Sequence, residues 1–584
     1  MFNYLKKATY VLSKEYHKKL YIILAITLIS TVIELLGIGM IIPILSIFVD
    51  TDYLKYIHFI PFLENKSKNE IFVIILLSFL LLYFFKFILL RYLIHQQNSL
   101  GHKIYTDVAK KIFRNYLHKD FFFHVKNNSS VLIRNIQSEI NLYSFGVIFP
   151  GVRLISEIIV FLSITIMLMI FNLGASIIVI LFFSTIGYFL IKSTNTRLKH
   201  WGDLRQYHSA LILKQLQQSF QSIREIIINN LQDIFLKKFH FHNLENAQAG
   251  KKRDTTVQMP RLILELLGVL TFVTLIFFLL YRGIPISEIF VIIGVFFFAA
   301  VRLLPGVSKI VNSVQSLRFN TAVIELIYVE LIDCEKNSFL IESQNNKTEE
   351  ERIKFEDLKI KNLSFSYPGK KNKVLDKVNF EIIKNDKIGI IGNTGVGKST
   401  LLNLITGLIK SNQGEIIINK KSINLIKNNW QKNIGYVPQQ VSIIDESILF
   451  NVTLERDKKK INFKKLDEIL KILDLYDYVY SLSDNIYERV GERMGEKFSG
   501  GQSQRLGIAR VLYKDPQILI MDEATNALDE KTENFILKKL FSEITDKTIL
   551  TISHRKNSLR FCDKVIEVKN AKLHEVNMNT VLNN

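Results

Sequence analysis

Long apolar stretches fill the first half of the chain. The thirty residues from Leu20 to Val49 include one charged residue, Glu34, and the thirty-four residues from Ile158 to Ile191 include none. A membrane-spanning helix needs about 20 apolar residues, so the second stretch predicts two helices joined by a tight turn at Asn172-Leu173-Gly174. Altogether the pattern predicts six spanning helices, near residues 20–49, 71–95, 142–171, 174–192, 260–281 and 285–310.

The segments between the predicted helices differ in charge. The N-terminal arm and the long segments 96–141 and 193–259 are rich in Lys and Arg, whereas 50–70, 172–174 and 282–284 are short and lightly charged. The positive-inside rule therefore predicts that the N-terminus, both long segments and the C-terminal half lie in the cytoplasm. Apolar residues at helical spacing predict that the long segments are cytoplasmic extensions of the membrane helices.

The chain is strongly basic, with 75 Lys and Arg against 54 Asp and Glu and a net charge of +21. This excess follows the predicted membrane topology, and no basic and aromatic module stands apart from it. We therefore expect contact with membrane lipids and no nucleic-acid partner. Only Cys334 and Cys562 occur, which excludes a disulfide framework. The short apolar segment 53–63 is equally compatible with an interfacial helix and with a loop.

The pattern divides the chain into three parts. Residues 1–330 are predicted to form the membrane domain, and the polar residues 331–352 a linker. Over residues 353–584, short β-rich runs alternate with helices, which predicts a soluble α/β domain. The fold class is therefore an α-helical polytopic membrane domain with six transmembrane helices, followed by an α/β domain.

A phosphate-binding motif opens this second domain. The apolar strand 387–391 runs into Gly392-Asn393-Thr394-Gly395-Val396-Gly397-Lys398-Ser399-Thr400 and then into an apolar helix. This is G-x-x-x-x-G-K-S in the strand–loop–helix context of a P-loop. The glycines let backbone N–H groups surround a polyphosphate, Lys398 meets the β- and γ-phosphates, and Ser399 binds Mg²⁺. The motif predicts a domain that binds the polyphosphate of a nucleotide together with Mg²⁺.

A second apolar strand, 518–521, ends in two acidic residues. Asp522 is placed to hold Mg²⁺, and Glu523 to polarise an attacking water. With the P-loop, this pair predicts nucleotide hydrolysis.

The same domain resembles the ATP-binding cassette (ABC) family over residues 353–584. Phe498-Ser499-Gly500-Gly501-Gln502 resembles the LSGGQ signature with Phe in the first position. Tyr367 matches the aromatic residue that stacks on adenine, and Gln439 matches the Q-loop glutamine. The segment 526–529 matches the D-loop, His554 the switch histidine, and 490–493 the loop that exporters use to sense their membrane domains.

The resemblance implies an ATP hydrolase coupled to transport. Glu523, His554 and Gln439 would be catalytic, and Gln439 would also join Ser399 and Asp522 at Mg²⁺. The signature residues Ser499, Gly500, Gly501 and Gln502 would contact the ATP bound by a second chain. One chain would be half of an exporter, with a homodimer as the expected assembly.

Features of the membrane half resemble the lipid-linked oligosaccharide flippases of bacterial protein N-glycosylation. They are Glu34 with a following Pro43, Met259-Pro260-Arg261-Leu262, and Arg302-Leu303-Leu304-Pro305. The resemblance implies translocation of a polyprenyl-pyrophosphate-linked glycan to the outer leaflet of a bacterial inner membrane. The glycan itself and the route, alternating access or outward-only flipping, stay open.

Three cations in the spanning helices are candidate substrate residues. Lys86, Arg261 and Arg302 fall near one level in the inner half of the predicted helices, where a ring of cations would bind a lipid pyrophosphate. Two other interpretations stay open: these residues are topology anchors, or Arg261 pairs with Glu265 one turn away.

Two other functions compete with the flippase. A general lipid or multidrug exporter would share every motif of the ATP-binding domain. A non-transporting ABC ATPase is disfavoured, because it would have no use for six spanning helices.

Overall fold

The chain forms two compact units. The computed structural model describes residues 2–10, 14–49, 66–345, 352–370, 372–491, 498–553 and 555–578. The first unit comprises Met1–Lys119 and Phe123–Gln344, and the second comprises Asp120–Phe122 and Asn345–Asn584. Segment 53–63, for which two interpretations were open, lies outside the described residues.

Six helices of the first unit are long and apolar enough to cross a membrane, which confirms the six predicted spans. They are α1 (Lys14–Phe48), α2 (Lys68–Leu117), α3 (Phe149–Phe171), α4 (Leu173–Gln221), α5 (Gln232–Tyr281) and α6 (Ile286–Phe319).

The helices α2, α4 and α5 are far longer than their apolar segments. Each has about 50 residues, which corresponds to roughly 75 Å at 1.5 Å per residue. The hydrocarbon core of a bilayer is only about 30 Å thick, so these helices extend well beyond it. The predicted ranges 71–95, 174–192 and 260–281 therefore mark only the apolar parts of continuous helices.

The helix α3 continues a series of helical turns that begins at residue 129. Two short α-helices alternate with two π-helical turns before α3: Ser129–Arg134, Asn135–Glu139, Ile140–Tyr143 and Ser144–Ile148. The predicted helix 142–171 is thus part of a helical run of 43 residues.

The turn predicted between the third and fourth spans is confirmed. The helix α3 ends at Phe171 and α4 begins at Leu173, with Asn172 in an extended conformation between them. The side-chain oxygen of Asn172 accepts a hydrogen bond of 3.1 Å from the backbone N–H of Ala175. Asn172 therefore caps α4 and reverses the chain in one residue.

Shorter helices complete the first part of the chain, and one of them enters the predicted linker. Their bounds are Phe2–Thr9, Phe121–Lys126, Ile223–Ile228 and Thr321–Asn345. The last helix runs through the first fifteen residues of the linker predicted over 331–352. These residues include Glu, Lys, Leu and Ile but no Gly or Pro, so their polar character does not end the helix.

The described residues of the second unit form three sheets. A four-stranded sheet has the order β2-β1-β4-β5, a six-stranded sheet the order β12-β11-β3-β10-β9-β6, and β7 pairs with β8. The strands are β1 (Asp357–Phe365), β2 (Leu375–Ile383), β3 (Lys387–Ile391), β4 (Gln413–Ile418), β5 (Lys421–Ser422), β6 (Ile434–Val437), β7 (Glu446–Ser447), β8 (Arg489–Val490), β9 (Ile518–Asp522), β10 (Thr548–Ile552), β11 (Lys564–Lys569) and β12 (Lys572–Val576).

Helices cover these sheets and bury two apolar cores. The α-helices are Lys398–Ile405, Ile423–Gln431, Ile448–Thr453, Phe463–Ile472, Tyr476–Ser481, Gly500–Tyr513, Glu530–Glu543 and Lys556–Leu559, with 3₁₀ turns at Lys458–Lys460 and Asn485–Tyr487. One core surrounds the fully buried Trp430, whose indole N–H donates to the carbonyl of Ile405 at 2.7 Å. The predicted α/β character of this domain is confirmed.

The backbone of α4 lies very close to the end of α6, and this contact predicts how a substitution in α4 changes stability. A Cβ atom added at the buried Gly202 would overlap the carbonyl oxygen of Phe319, the last residue of α6. Because backbone cannot yield as a side chain does, we expect Gly202→Ala to lower the free energy of unfolding by about 1–3 kcal/mol. Thermal denaturation of the full chain in detergent measures the effect.

Gly250 on α5 provides the matched control. No described residue has an atom within 4 Å of a Cβ added there, so Gly250→Ala should gain up to about 1 kcal/mol from the higher helix propensity of alanine. Equal stability of the two variants would contradict the close approach at Gly202.

Candidate nucleotide-binding site

Four parallel strands end at one edge of the six-stranded sheet. β3 pairs with β10, β10 with β9, and β9 with β6, each time in parallel. The carboxyl ends of parallel strands meet at the same edge, which is where open α/β sheets bind ligands. The residues that follow these strands are the phosphate loop 392–397, Ser553, Glu523 and Pro438-Gln439, and Asp522 is the last residue of β9. Segments far apart in the sequence therefore converge there.

The phosphate loop has a backbone that requires glycine at three positions. Gly392 has φ +143°, Gly395 has φ +84° and Gly397 has φ +112°. A Cβ atom on Gly392 would lie 2.6 Å from the carbonyl oxygen of Val568, and one on Gly397 would lie 2.6 Å from Cγ1 of Val374. The loop therefore turns between β3 and the helix Lys398–Ile405 in the way the P-loop motif predicts.

The ammonium group of Lys398 closes over this loop. Its Nζ donates to the carbonyl oxygen of Gly392 at 2.6 Å and to that of Asn393 at 3.1 Å. The residue is 7% exposed, and this burial lowers the pKa of the ammonium group. The structure thus keeps a desolvated cation at the place where the β- and γ-phosphates are expected.

The two strongest candidates for Mg²⁺ binding are hydrogen-bonded to each other. The hydroxyl of Ser399 bonds to the carboxylate of Asp522, and the hydroxyl of Tyr436 donates to Oδ2 of Asp522 at 2.9 Å. Burial is the largest influence on Asp522 and raises the pKa of its carboxyl group. A hydroxyl and a carboxylate are oxygen ligands of the kind that Mg²⁺ prefers.

Mg²⁺ at this place would need further ligands from its surroundings. Among the residues that the structure describes, no group of three or more His, Cys, Asp or Glu could hold a metal ion. Since Mg²⁺ usually keeps several waters and binds substrate phosphates, two protein oxygens fit such a site. Gln439, a third predicted ligand, donates its Nε2 to Glu523, and its side-chain oxygen is the atom that would bind Mg²⁺.

Glu523 is held by two side-chain amides. Its Oε2 atom accepts from Nε2 of Gln439 at 2.7 Å and from Nδ2 of Asn526 at 2.7 Å. The residue has φ +50°, and its backbone N–H donates to the carbonyl of Ile552 at 3.0 Å. This conformation is sparsely populated and is typical of functional positions. The carboxylate predicted to act as base is thus oriented from the Q-loop and the D-loop together.

Tyr367 lies at the start of the phosphate-loop helix. Its hydroxyl is 2.9 Å from Oγ1 of Thr400, and its ring meets Phe365 edge to face at a centroid distance of 5.2 Å. This position beside the loop fits the aromatic residue expected to stack on adenine.

The signature residues form a helix N-terminus beside the D-loop. Ser499 caps the helix Gly500–Tyr513, and its hydroxyl accepts from the backbone N–H of Gln502 at 3.2 Å. A Cβ on Gly501 would lie 3.0 Å from Cδ2 of Leu528. The signature therefore packs on the D-loop of its own chain, while the phosphate loop contacts Val374 and Val568. Two predicted elements, His554 and the pair Glu492-Arg493, lie outside the described residues.

Some residues of the site were not predicted from the sequence. Gln504 accepts from the backbone N–H of Ala527 at 2.9 Å, and Arg555 bonds to Glu533 and to two D-loop carbonyls. Glu533 did carry a signal, because it shares the apolar face of its helix with Ile536, Leu537 and Leu540. A carboxylate on such a face needs a buried partner.

The three candidate substrate cations do not form one ring. Lys86 and Arg302 both bond to Glu34, with Nζ–Oε1 and Nε–Oε1 distances of 3.1 and 2.6 Å. Arg261 instead pairs with Glu265 at 2.9 Å, and both side chains are exposed. The prediction placed the three at one level along the membrane, but it could not specify which of them share a buried carboxylate.

A second buried carboxylate extends the cluster around Glu34. Glu157 of α3 accepts from Arg302 at 3.1 Å and from Lys309 at 2.8 Å. The five residues Glu34, Lys86, Glu157, Arg302 and Lys309, here called the membrane charge cluster, connect α1, α2, α3 and α6. Glu157 and Lys309 were not among the predicted site residues.

Comparisons with known proteins agree with this arrangement. The family model of the ABC transporter transmembrane region matches residues 20–302, and that of the ABC transporter matches residues 375–526. One solved structure, a bacterial Atm1-family ABC exporter with ATP bound, superposes with a TM-score of 0.76 over 97% of both chains. Its sequence identity is 18%, so this likeness concerns the fold.

Curated relatives match over part of their length. The multidrug resistance-like ATP-binding protein MdlB of Buchnera aphidicola is 33% identical over 54% of this chain and 52% of its own length. The alpha-hemolysin translocation ATP-binding protein HlyB of Escherichia coli O157:H7 is 34% identical over 38% of this chain and 31% of its own. The matched part of this chain thus spans about a third to a half of the length of these curated relatives.

The family follows from both halves together. The two family models cover well over half of the chain, in the order membrane region and then ATP-binding domain. Six helices able to span a membrane and an α/β domain with a P-loop have the same order in the structure. The chain therefore belongs to the ABC transporters and has the fold of an ABC exporter.

Proposed function

We propose that this protein is an ATP-driven flippase that moves a lipid-linked oligosaccharide, a glycan on polyprenyl pyrophosphate, to the outer leaflet for protein N-glycosylation. The observation that carries ATP-driven export is the convergence of the phosphate loop, Asp522, Glu523 and Gln439 at one sheet edge, in a chain with six apolar helices. The basic segments support a bacterial inner-membrane location, with the N-terminus and the ATP-binding domain in the cytoplasm.

The site contains what hydrolysis of ATP requires. Lys398 supplies positive charge for the β- and γ-phosphates. Ser399 and Asp522 would hold Mg²⁺, which neutralises phosphate charge when bound. Glu523 is placed to orient the attacking water and to accept its proton, because two amides fix its carboxylate. His554, assigned from the family resemblance, would act beside it as the switch residue.

The active assembly proposed here is a homodimer with shared ATP sites. Within one chain the signature packs on the D-loop, which leaves its capped helix N-terminus available as an anion site for ATP on a second chain. The first unit also exposes many large apolar side chains of α2, including Leu80, Leu81 and Phe84. Lipid and a second chain would cover such a surface.

The membrane charge cluster supports an anionic substrate. Three cations meet two carboxylates, so the cluster has one positive charge in excess. Charged residues in spanning helices are costly and usually mark functional sites. A pyrophosphate headgroup would supply negative charge, and Arg302 is able to bind it bidentately. Arg261 would contact the same substrate from its exposed position on α5.

A general lipid or multidrug exporter is the second candidate. A relative is named as multidrug resistance-like, and an open apolar cavity of about 600 Å³ lies between α1 and α3, lined by residues that include Leu35, Ile42 and Phe171. Such a cavity suits an apolar substrate. Transport of an uncharged lipid at the rate of the lipid-linked oligosaccharide would favour this candidate.

The assignment of Glu523 predicts a separation of binding from turnover. Glu523→Gln keeps the size of the side chain but removes the base, so we expect ATP to bind as in wild type while hydrolysis falls by about 10²-fold or more. Phosphate release and binding of a fluorescent ATP analogue measure the two steps in the full chain. Glu543→Gln, an exposed position at the end of the helix Glu530–Glu543, should keep wild-type turnover. Near-full activity of Glu523→Gln would exclude it as the base.

Shared sites predict complementation between two inactive chains. Lys398→Ala removes the phosphate cation and Ser499→Arg blocks the signature, so each pure variant should lose ATPase activity. A mixed dimer, purified with one affinity tag on each chain, would have one site with both lesions and one intact site. We expect ATPase activity in the mixed dimer alone. An active monomer would contradict the shared site.

The substrate proposal predicts loss of transport without loss of ATP hydrolysis. We expect Lys86→Gln and Arg302→Gln to reduce flipping of a lipid-linked oligosaccharide in proteoliposomes about tenfold, since a hydrogen bond to a charged group contributes about 1.5–3 kcal/mol. Arg261→Gln should have a smaller effect from its exposed position. Arg91→Gln, an exposed cation of α2, is the control. Wild-type flipping by all three candidate variants would contradict the proposed headgroup site.

A further inference from the structure

A buried carboxylate lies behind the D-loop. Glu533 is fully buried on the helix Glu530–Glu543. Its Oε1 atom accepts from the hydroxyls of Thr525 and Ser558, both at 2.7 Å, and Oε2 accepts from Nη1 of Arg555 at 2.6 Å. Removing a buried charge from water is costly unless it is paired and hydrogen-bonded. Glu533 has both, so it fixes the guanidinium of Arg555 in one place.

Arg555 also binds the D-loop backbone. Nη1 also donates to the carbonyl of Leu528 at 2.9 Å, and Nη2 donates to the carbonyl of Asn526 at 2.8 Å. These carbonyls lie on either side of Ala527, whose N–H donates to Gln504 at 2.9 Å. The segment 526–528 is therefore held from two sides.

The segment 526–528 contacts the carboxylate of the proposed base through the side chain of Asn526. Asn526, whose carbonyl accepts from Arg555, donates its side-chain Nδ2 to Oε2 of Glu523 at 2.7 Å. A continuous chain of contacts thus leads from Glu533 through Arg555 and Asn526 to Glu523. A misplacement of about 1 Å can lower a rate about 10²-fold, so the far end of this chain is able to affect catalysis.

We propose that Arg555, anchored by Glu533, is a positioning residue that sets the orientation of the catalytic carboxylate Glu523 through the backbone and side chain of Asn526. The proposal rests on the proposed ATP hydrolysis. It requires arginine, because the planar guanidinium reaches the carboxylate and both carbonyls at once, whereas the single ammonium of lysine cannot.

The test compares Arg555→Lys, Asn526→Ala and the double variant in the full chain. Arg555→Lys keeps a cation beside the buried Glu533, which protects the fold. It removes the guanidinium group that reaches both D-loop carbonyls. We expect each single variant to lower kcat for ATP about ten- to a hundredfold, with KM changed by less than about twofold. Because both act through one chain of contacts, the double variant should be no slower than the slower single variant.

The control is Arg352→Gln. Arg352 also donates to two backbone carbonyls, those of Lys514 and Asp515, but these bonds are not part of the chain of contacts that leads to Glu523. It should keep wild-type kcat. Binding of an ATP analogue, equal to that of wild type, establishes that each variant is folded.

Three outcomes would overturn the proposal. They are wild-type kcat in Arg555→Lys, multiplied effects in the double variant, or a change in KM with kcat unchanged; each would reduce the pair Glu533–Arg555 to a structural ion pair. Absence of ATP hydrolysis in the wild type would instead contradict the proposed function, and with it this inference. If Arg555→Lys fails to bind the analogue, Glu533→Gln combined with Asn526→Ala provides the same test of coupling.

Discussion

The parallel pairing of β6, β9, β10 and β3 is the constraint on which the ATP site depends. Each strand is only four or five residues long and mostly apolar, so apart from Asp522 at the end of β9 and Tyr436 in β6 it contributes core packing. Its hydrogen-bonded register determines where the next residue of the chain lies. A register shift of one residue would turn every side chain of a strand to the opposite face. Gln439, Asp522 and the phosphate loop would then no longer meet.

The membrane unit has a different organising interaction, which is the burial of two carboxylates. Glu34 and Glu157 are 4% and 8% exposed, and an isolated carboxylate in such surroundings would be strongly destabilising. Each therefore attracts two cations, and Arg302 serves both. This sharing fixes α1, α3 and α6 to one another, with α2 attached through Lys86. The buried carboxylates thus determine which cations come together, and the depth of a cation along its helix explains this grouping only in part.

The sequence allowed the fold and most of the ATP site to be predicted, for physical reasons that differ by region. Spanning helices and the P-loop depend on local patterns, and both were found. Helical spacing did predict that the helices continue after residue 95, whereas the helix through 331–345 was missed because hydropathy falls there while helix formers continue. The carboxylate Glu157 and the cation Lys309 were missed because their roles depend on contacts between different helices. Glu533 was missed because its partners Arg555 and Ser558 lie 22 and 25 residues away along the chain. Arg261 was grouped with Lys86 by its predicted depth, yet it pairs with Glu265 and shares no carboxylate with Lys86.

The Glu533–Arg555 pair and the membrane charge cluster differ in net charge, and this difference suits them to different roles. The soluble cluster pairs one carboxylate, Glu533, with one guanidinium, Arg555, and two hydroxyls complete its hydrogen bonds. It is neutral, and the guanidinium also donates to two D-loop carbonyls, so it is suited to holding a backbone segment in place. The membrane charge cluster has three cations for two carboxylates. Its surplus charge remains a cost in the membrane until an anion arrives, which suits a site that must bind its ligand and release it again.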